Sequence, residues 1–303
     1  MVNMRVELGK LKLNNPIIAA SGTFGFGREM EQFLDLSKIG GISSKGLTLK
    51  PRAGNDAPRV AECPSGMLNS VGLQNPGIEY FIENELPHML TYGCAVIANI
   101  AGHELEEYGE MAKLLDYTAV DAIELNLSCP NVSGGCMAFG SNAHMIRAVV
   151  ESVRNFTNKP LWVKLTPNVT SIAEMAWAAQ EAGADAVSLI NTLLGLVIDI
   201  ESRRPIMRNN TGGLSGPAVR PVAVRMVNEV YNTVSIPVIG MGGIMNGRDA
   251  AEMMIAGASA VQVGTASLVK PTACLDIVNE LEAWADGSGI INISDITGTV
   301  AKW

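Results

Sequence analysis

The chain has 303 residues, 48% of them hydrophobic and 17% charged, which is enough to bury a large core. A formal net charge of −8 and a pI near 5.0 argue against nucleic acid or an anionic membrane surface as partner. No apolar run approaches the roughly 18 residues of a membrane span, and residues 1–6 lack the apolar core of a signal peptide, so a cytoplasmic setting is expected.

In chain order, Val6-Glu7-Leu8 and Leu11-Lys12-Leu13 flank Gly9-Lys10 and predict a small N-terminal hairpin. Short apolar strands then alternate with amphipathic helices. Strands are expected over residues 16–21, 41–45, 95–100, 122–127, 161–165, 186–191, 237–240 and 260–264. Helices are expected to begin near Gly27, Gly77, Glu104, Asn142, Ser171, Ala218 and Gly247, with a last one over 273–286. The signals are local. Ser171-Ile172-Ala173-Glu174 reads as a capping box. Residues 104–117 carry acids early and Lys113 late, as the helix dipole prefers. Gly183 and Gly257 sit where a helix must stop before a strand. Eight strand–helix units with near-continuously apolar strands predict an α/β fold, a TIM (β/α)8 barrel over residues 1–303 as one domain. Two long loops, 46–77 and 192–217, are expected at the C-terminal face, shaping the active site or a subunit contact.

In such a barrel the site gathers at the C-terminal ends of the strands. Those ends deliver Ser21, Lys45, Asn99, Asn126 with Cys129, Lys164, Asn191 with Thr192, Gly242-Gly243 and Gly264-Thr265. The strand before Cys129 stops abruptly because Pro130 has no N–H for a ladder. That leaves a thiol between the amides Asn126 and Asn131, beside a Gly134-Gly135 loop that could close over a ligand. A thiol there serves as nucleophile or base once its thiolate is favoured, whereas a small buried cysteine would be inert. Lys164 lies inside Leu161-Trp162-Val163-Lys164-Leu165, where an unpaired ammonium is costly to bury. An anionic ligand, a carboxylate partner, or a Schiff-base role in a lyase would each account for it.

The segment Gly240-Met241-Gly242-Gly243-Ile244 and the pair Gly264-Thr265 offer bare N–H groups, with a helix from about Gly247 behind them. That arrangement predicts a site for one phosphate group. It is no dinucleotide fingerprint, because G-x-G-x-x-G from Gly240 would need glycine at Met245. The uncharged, amide-rich run Asn69-Ser70-Val71-Gly72-Leu73-Gln74-Asn75 suits a planar ligand rich in C=O and N–H groups, and equally suits ordinary turns. Cysteines 63, 94, 129, 136 and 274 form no C-x-x-C pair, and histidines 88, 103 and 144 show no zinc spacing. No metal is expected, so any redox centre is organic or sits on another chain.

Taken as a set, N-L-S-C-P-N (126–131), N-S-V-G-L-Q-N (69–75), V-K-L-T-P (163–167), G-G-L-S-G (212–216), G-M-G-G-I (240–244) and G-T (264–265) resemble the dihydroorotate dehydrogenase family. The stretch 191–205, and Gly46 following Lys45, resemble its NAD-linked class 1B catalytic subunits. The resemblance implies one non-covalent FMN at the barrel mouth and oxidation of (S)-dihydroorotate to orotate in pyrimidine biosynthesis. It implies that Cys129 takes the proton from substrate C5 while hydride leaves C6 for flavin N5. Substrate would be held by Lys45, Asn69, Ser70, Val71, Gly72, Leu73, Asn126, Asn131, Asn191 and Thr192. Flavin would be held by Ser21, Lys45, Gly46, Asn99, Asn126, Lys164, Ile190 and Gly216, and its phosphate by Gly242, Gly243, Gly264 and Thr265. Class 1B relatives pass electrons to NAD through a second subunit bearing FAD and a [2Fe–2S] cluster, with a homodimer of catalytic chains inside a heterotetramer. Class 1A relatives, soluble homodimers that use fumarate, lack the same motifs. Readings from other classes are a Schiff-base lyase using Lys164 and a barrel that only binds a ligand.

Overall fold

Parallel strands close into a barrel in the computed structural model, which describes residues 2–127 and 139–303. First comes the predicted hairpin, β1 (Val6–Leu8) paired antiparallel with β2 (Leu11–Leu13), its Val6, Leu8, Leu11 and Leu13 buried. The chain continues through β3 (Ile17–Ala19), β4 (Gly41–Ser43), β5 (Val60–Cys63), β6 (Gly66–Asn69), β7 (Ala95–Ile100) and β8 (Ala122–Asn126). Then follow β9 (Leu161–Lys164), β10 (Ala186–Leu189), β11 (Leu193–Gly195), β12 (Ile198–Asp199), β13 (Arg204–Pro205), β14 (Gly212–Ser215), β15 (Val238–Met241) and β16 (Ala260–Val263). The barrel order is β3-β4-β7-β8-β9-β10-β15-β16, closing back on β3, with each predicted barrel strand present within two residues of its expected ends.

Helices Leu105–Asp116, Ala143–Arg154, Ile172–Glu181, Arg220–Tyr231, Gly247–Ala256 and Ala273–Gly287 pack outside the strands. Their seams follow helical spacing: Ile146, Val149, Val150 and Val153 are all buried. Each such side chain contributes about 1.5–3 kcal/mol by leaving water. Ser171 Oγ accepts from the Glu174 N–H at 3.2 Å, the cap the sequence predicts. Among the described residues, no helix is long and apolar enough to cross a membrane.

Three local expectations are corrected. No α-helix starts near Gly27: the segment is a series of turns ending in the 3-10 turn Leu36–Lys38, with Gly25 and Gly27 both at left-handed φ (59° and 94°). The helix after Gly77 is broken into Ile78–Tyr80, a π-turn Phe81–Glu85, and Leu86–Met89. Pro87 has no N–H to return to the preceding turn, which accounts for the wide turn there. The two long connections are also not simply loops. They meet in a four-stranded antiparallel sheet, β11-β14-β6-β5, with β12 and β13 forming a further ribbon.

Strand packing is tight enough to test. Gly40 donates its N–H to Ile17 O at 2.7 Å as β4 begins beside β3. A Cβ there would stand 2.1 Å from Asn15 O and 2.9 Å from Ile17 O, both backbone atoms. Gly40→Ala is therefore expected to cost about 1–3 kcal/mol or more, read as a lower urea midpoint. A midpoint equal to that of the parent chain would show that the two strands yield there.

Candidate active site at the barrel mouth

A cavity of about 450 Å³ opens where the C-terminal ends of the barrel strands face the antiparallel sheet. The strand ends bring Ser21, Lys45, Gly46, Asn126 and Lys164 to its wall. The connection after β10 adds Ile190, Asn191 and Thr192, and β15 and β16 lead to Gly242, Gly243, Gly264 and Thr265. From the sheet side come Asn69, Val71, Gly72, Leu73 and Gly216. Two expected residues stand behind the wall: Ser70 and Asn99 are fully buried and do not line the cavity. Cys129 and Asn131 lie outside the described residues.

The amide cluster is locally ordered. Asn191 Nδ2 reaches Asn126 Oδ1 at 3.4 Å, and the Asn191 side-chain oxygen accepts from the Thr192 N–H at 2.8 Å. The Tyr108 hydroxyl donates to Asn126 O at 3.0 Å and fixes the end of β8. In the 69–75 run the amides divide their labour. Asn75 makes four bonds, accepting from Gly77 N and donating to Leu73 O within its own turn, and accepting from Thr48 N and donating to Thr48 Oγ1 across to the preceding segment, so it holds the loop and leaves the cavity to Asn69.

The phosphate loop is only partly as expected. Gly243 takes φ 78°, and a Cβ there would meet the Arg220 backbone N at 2.9 Å, so glycine is required. The helix from Gly247, however, is already capped: Asn246 Oδ1 accepts from Arg248 N and Asp249 N, both at 3.0 Å. An unpredicted short helix, Thr265–Val269, opens directly from Gly264 instead, with Thr265 Oγ1 donating to Ser215 Oγ at 2.8 Å. Asp249 secures the loop from behind, accepting from Met245 N at 2.9 Å and pairing with Arg220.

Electrostatics single out the cavity. It is lined by two ammonium groups, Lys45 and Lys164, and by no carboxylate among the described residues. Burial, and then the nearby Arg59 charge, push the Lys45 pKa down. Lys164 is buried, with Glu124 beneath it on β8. Glu124 is fully buried and takes donors from four strands: Ser43 Oγ at 2.9 Å, Asn99 Nδ2 at 2.6 Å, Ser188 Oγ at 2.7 Å and Gln262 Nε2 at 2.6 Å. Burial alone would raise the Glu124 pKa, but the Lys164 charge and the bonds from Ser188, Asn99 and Gln262 outweigh it, and the net direction is down. Sequence reasoning leaves Glu124 and Gln262 out of the site. The available signal was an acid inside an apolar strand, two residues before Asn126 and hence on the same face.

Two buried thiols, Cys94 and Cys274, are poor nucleophiles. Burial pushes Cys94 up to about 12 and Cys274 up to about 11.

A family model described as dihydroorotate dehydrogenase matches residues 3–284. The chain is 52% identical over 299 residues to "Dihydroorotate dehydrogenase B (NAD(+)), catalytic subunit" of Geotalea uraniireducens, covering 98% of each chain. Proteins of the same name from Trichlorobacter lovleyi and Caldicellulosiruptor bescii are 53% identical over 298 residues and 50% identical over 299 residues. The alignments cover 98% of each chain in the first case and 99% in the second.

Proposed function

Because this chain belongs to the dihydroorotate dehydrogenase family, we propose that it is the catalytic subunit of the NAD-linked enzyme, oxidising (S)-dihydroorotate to orotate in pyrimidine biosynthesis. The observation that carries this reading is a cavity with two lysines, a cluster of asparagines and, among the described residues, no lining carboxylate, which suits an anionic, amide-rich ring and an anionic cofactor together. FMN fits the residues present. Gln262 Oε1 is a buried acceptor with no partner at the cavity wall, Lys45 is a desolvated cation, and Gly242, Gly243 and Gly264 present bare backbone. Lys164, Asn126, Ser21, Lys45, Gly46, Ile190 and Gly216 would hold the flavin directly, with Asn99 behind the wall and Gly242, Gly243, Gly264 and Thr265 at its phosphate.

When bound, FMN supplies the two-electron acceptor for the hydride leaving C6 of the substrate. The chain does the rest. Cys129 takes the C5 proton as general base. Asn69, Asn126, Asn131, Asn191 and Thr192 orient the ring through its amides, with Val71, Gly72 and Leu73 lining the cavity beside Asn69. Lys45 fixes the substrate carboxylate. Lys164 places positive charge where negative charge develops on reduction. In this reading the electrons go on to NAD through a partner subunit with FAD and a [2Fe–2S] cluster, in a cytoplasmic heterotetramer built on a homodimer of this chain.

The purified chain should show flavin absorbance that bleaches with anaerobic dihydroorotate and is restored by neither fumarate nor NAD alone. Reoxidation by fumarate would move the chain to the class 1A chemistry. A colourless protein that takes up no FMN, and is trapped by borohydride with substrate, would establish the lyase. Lys164→Ala should lose FMN on dialysis by about tenfold in affinity or more; a variant still fully flavinated would remove Lys164 from the flavin contacts.

A further inference from the structure

Beneath the cavity, Glu124 does more than neutralise Lys164. A carboxylate only accepts hydrogen bonds, so any amide beside it must offer its NH2. Gln262 Nε2 and Asn99 Nδ2 each meet it at 2.6 Å, and both amides are thereby locked in one orientation. The consequence lies at the other end of each amide: Gln262 Oε1 and Asn99 Oδ1 are buried and have no partner. Asn99 Oδ1 is turned under Gly46, 3.1 Å from where a Cβ would stand. Gln262 is almost fully buried yet lines the cavity, and its side-chain oxygen is left without a partner beside it. An unpaired buried acceptor is costly unless the ligand supplies a donor.

Resting on the flavin reading above, we propose that Gln262 is a further flavin-contacting residue, its side-chain oxygen accepting from the one N–H of the oxidised isoalloxazine ring, N3–H. Glu124 is the positioning residue that turns that oxygen towards the ring. The two roles are separable. Gln262 touches the cofactor; Glu124 acts only by deciding which end of the amide faces it. Ser43 and Ser188 spend their hydroxyl donors on the same carboxylate, at 2.9 and 2.7 Å.

The test compares FMN with 3-methyl-FMN, in which the N3 hydrogen is replaced by methyl, by fluorescence titration of the flavin-stripped chain. The parent chain should prefer FMN by about tenfold or more. Gln262→Met keeps the length and removes the acceptor, and should narrow the preference to about twofold. Glu124→Gln leaves Gln262 in place but frees its amide to turn, and should narrow the preference as well, a change that a purely structural role for Glu124 would not produce. A parent chain that binds both flavins equally, or a Gln262→Met variant that keeps the full preference, would overturn the contact. Loss of preference in Gln262→Met but not in Glu124→Gln would overturn the positioning role. A parent chain that binds neither flavin refutes the flavin reading itself, an outcome distinct from the others.

Discussion

Replacing Glu124 by alanine is expected to destabilise the chain by about 3–5 kcal/mol, the usual consequence of leaving one member of a buried charged cluster without its partner. The size follows from what the carboxylate holds. Four donors from β4, β7, β10 and β16 converge on it, and the Lys164 ammonium on β9 shares the same interior. Strand register places them there: Asn99 stands opposite Glu124, and Lys164 opposite both Asn126 and Ser188. Removing the carboxylate strips partners from all of these at once, inside the barrel where water does not replace them. The measurement is the urea midpoint of the flavin-free chain. The pH dependence has a definite sign. The folded pKa of Glu124 lies below its unfolded value of about 4.3, so its stabilisation is present above that pH and is lost as the pH falls towards the folded value. Glu124→Gln should therefore flatten the decline of the midpoint on the acid side. Parallel acid-side curves for parent and variant would show that other carboxylates govern that loss.

The barrel was legible in the sequence because its strands are buried on both faces and read as apolar runs, and because helix seams such as Ile146, Val149, Val150 and Val153 repeat at helical spacing. The antiparallel sheet at the mouth was not. Its strands β5, β6, β11 and β14 are only three or four residues long, and where burial alternates, as in β5 and β11, it does so between exposed and half-buried rather than between polar and core positions. The segment after Gly27 was not legible either: its apolar spacing allows a helix, but the chain there runs through successive turns. Within the site, residues whose side chains reach the cavity directly were readable from strand ends. Glu124 and Gln262 were not, because their importance lies in a cross-barrel network joining residues 81 and 138 positions apart. Lys164 illustrates the gap. Reading its strand alone leaves an anionic ligand and a carboxylate partner as competing accounts, whereas the fold supplies the carboxylate below and the cavity above.

Replacing Cys129 by serine is expected to leave flavin bound and to slow its reduction by dihydroorotate about 10²–10⁴-fold near neutral pH, the range a positioned general base contributes. Removing a proton from C5 requires a base whose conjugate acid titrates near the working pH, and a serine hydroxyl gives up its own proton far less readily than a thiol, so its basic form is scarcely populated there. Cys129 itself lies outside the described residues, but β8 carries Asn126 to the cavity wall three positions earlier, with Tyr108 holding the strand end at 3.0 Å. No other described thiol is available as a substitute: Cys94 and Cys274 are raised to about 12 and about 11 by burial, and Cys63 lies on β5 and does not line the cavity. The variant should also respond to pH differently, regaining rate as the solution becomes more alkaline, since serine acts only when partly deprotonated or when hydroxide takes its place. Stopped-flow measurement of flavin bleaching separates this from binding: the substrate concentration for half-maximal rate should stay within about threefold while the limiting rate collapses. A limiting rate equal to that of the parent chain would take the proton-transfer role away from Cys129 and return it to the asparagine-lined wall, where a bound water would have to carry the proton.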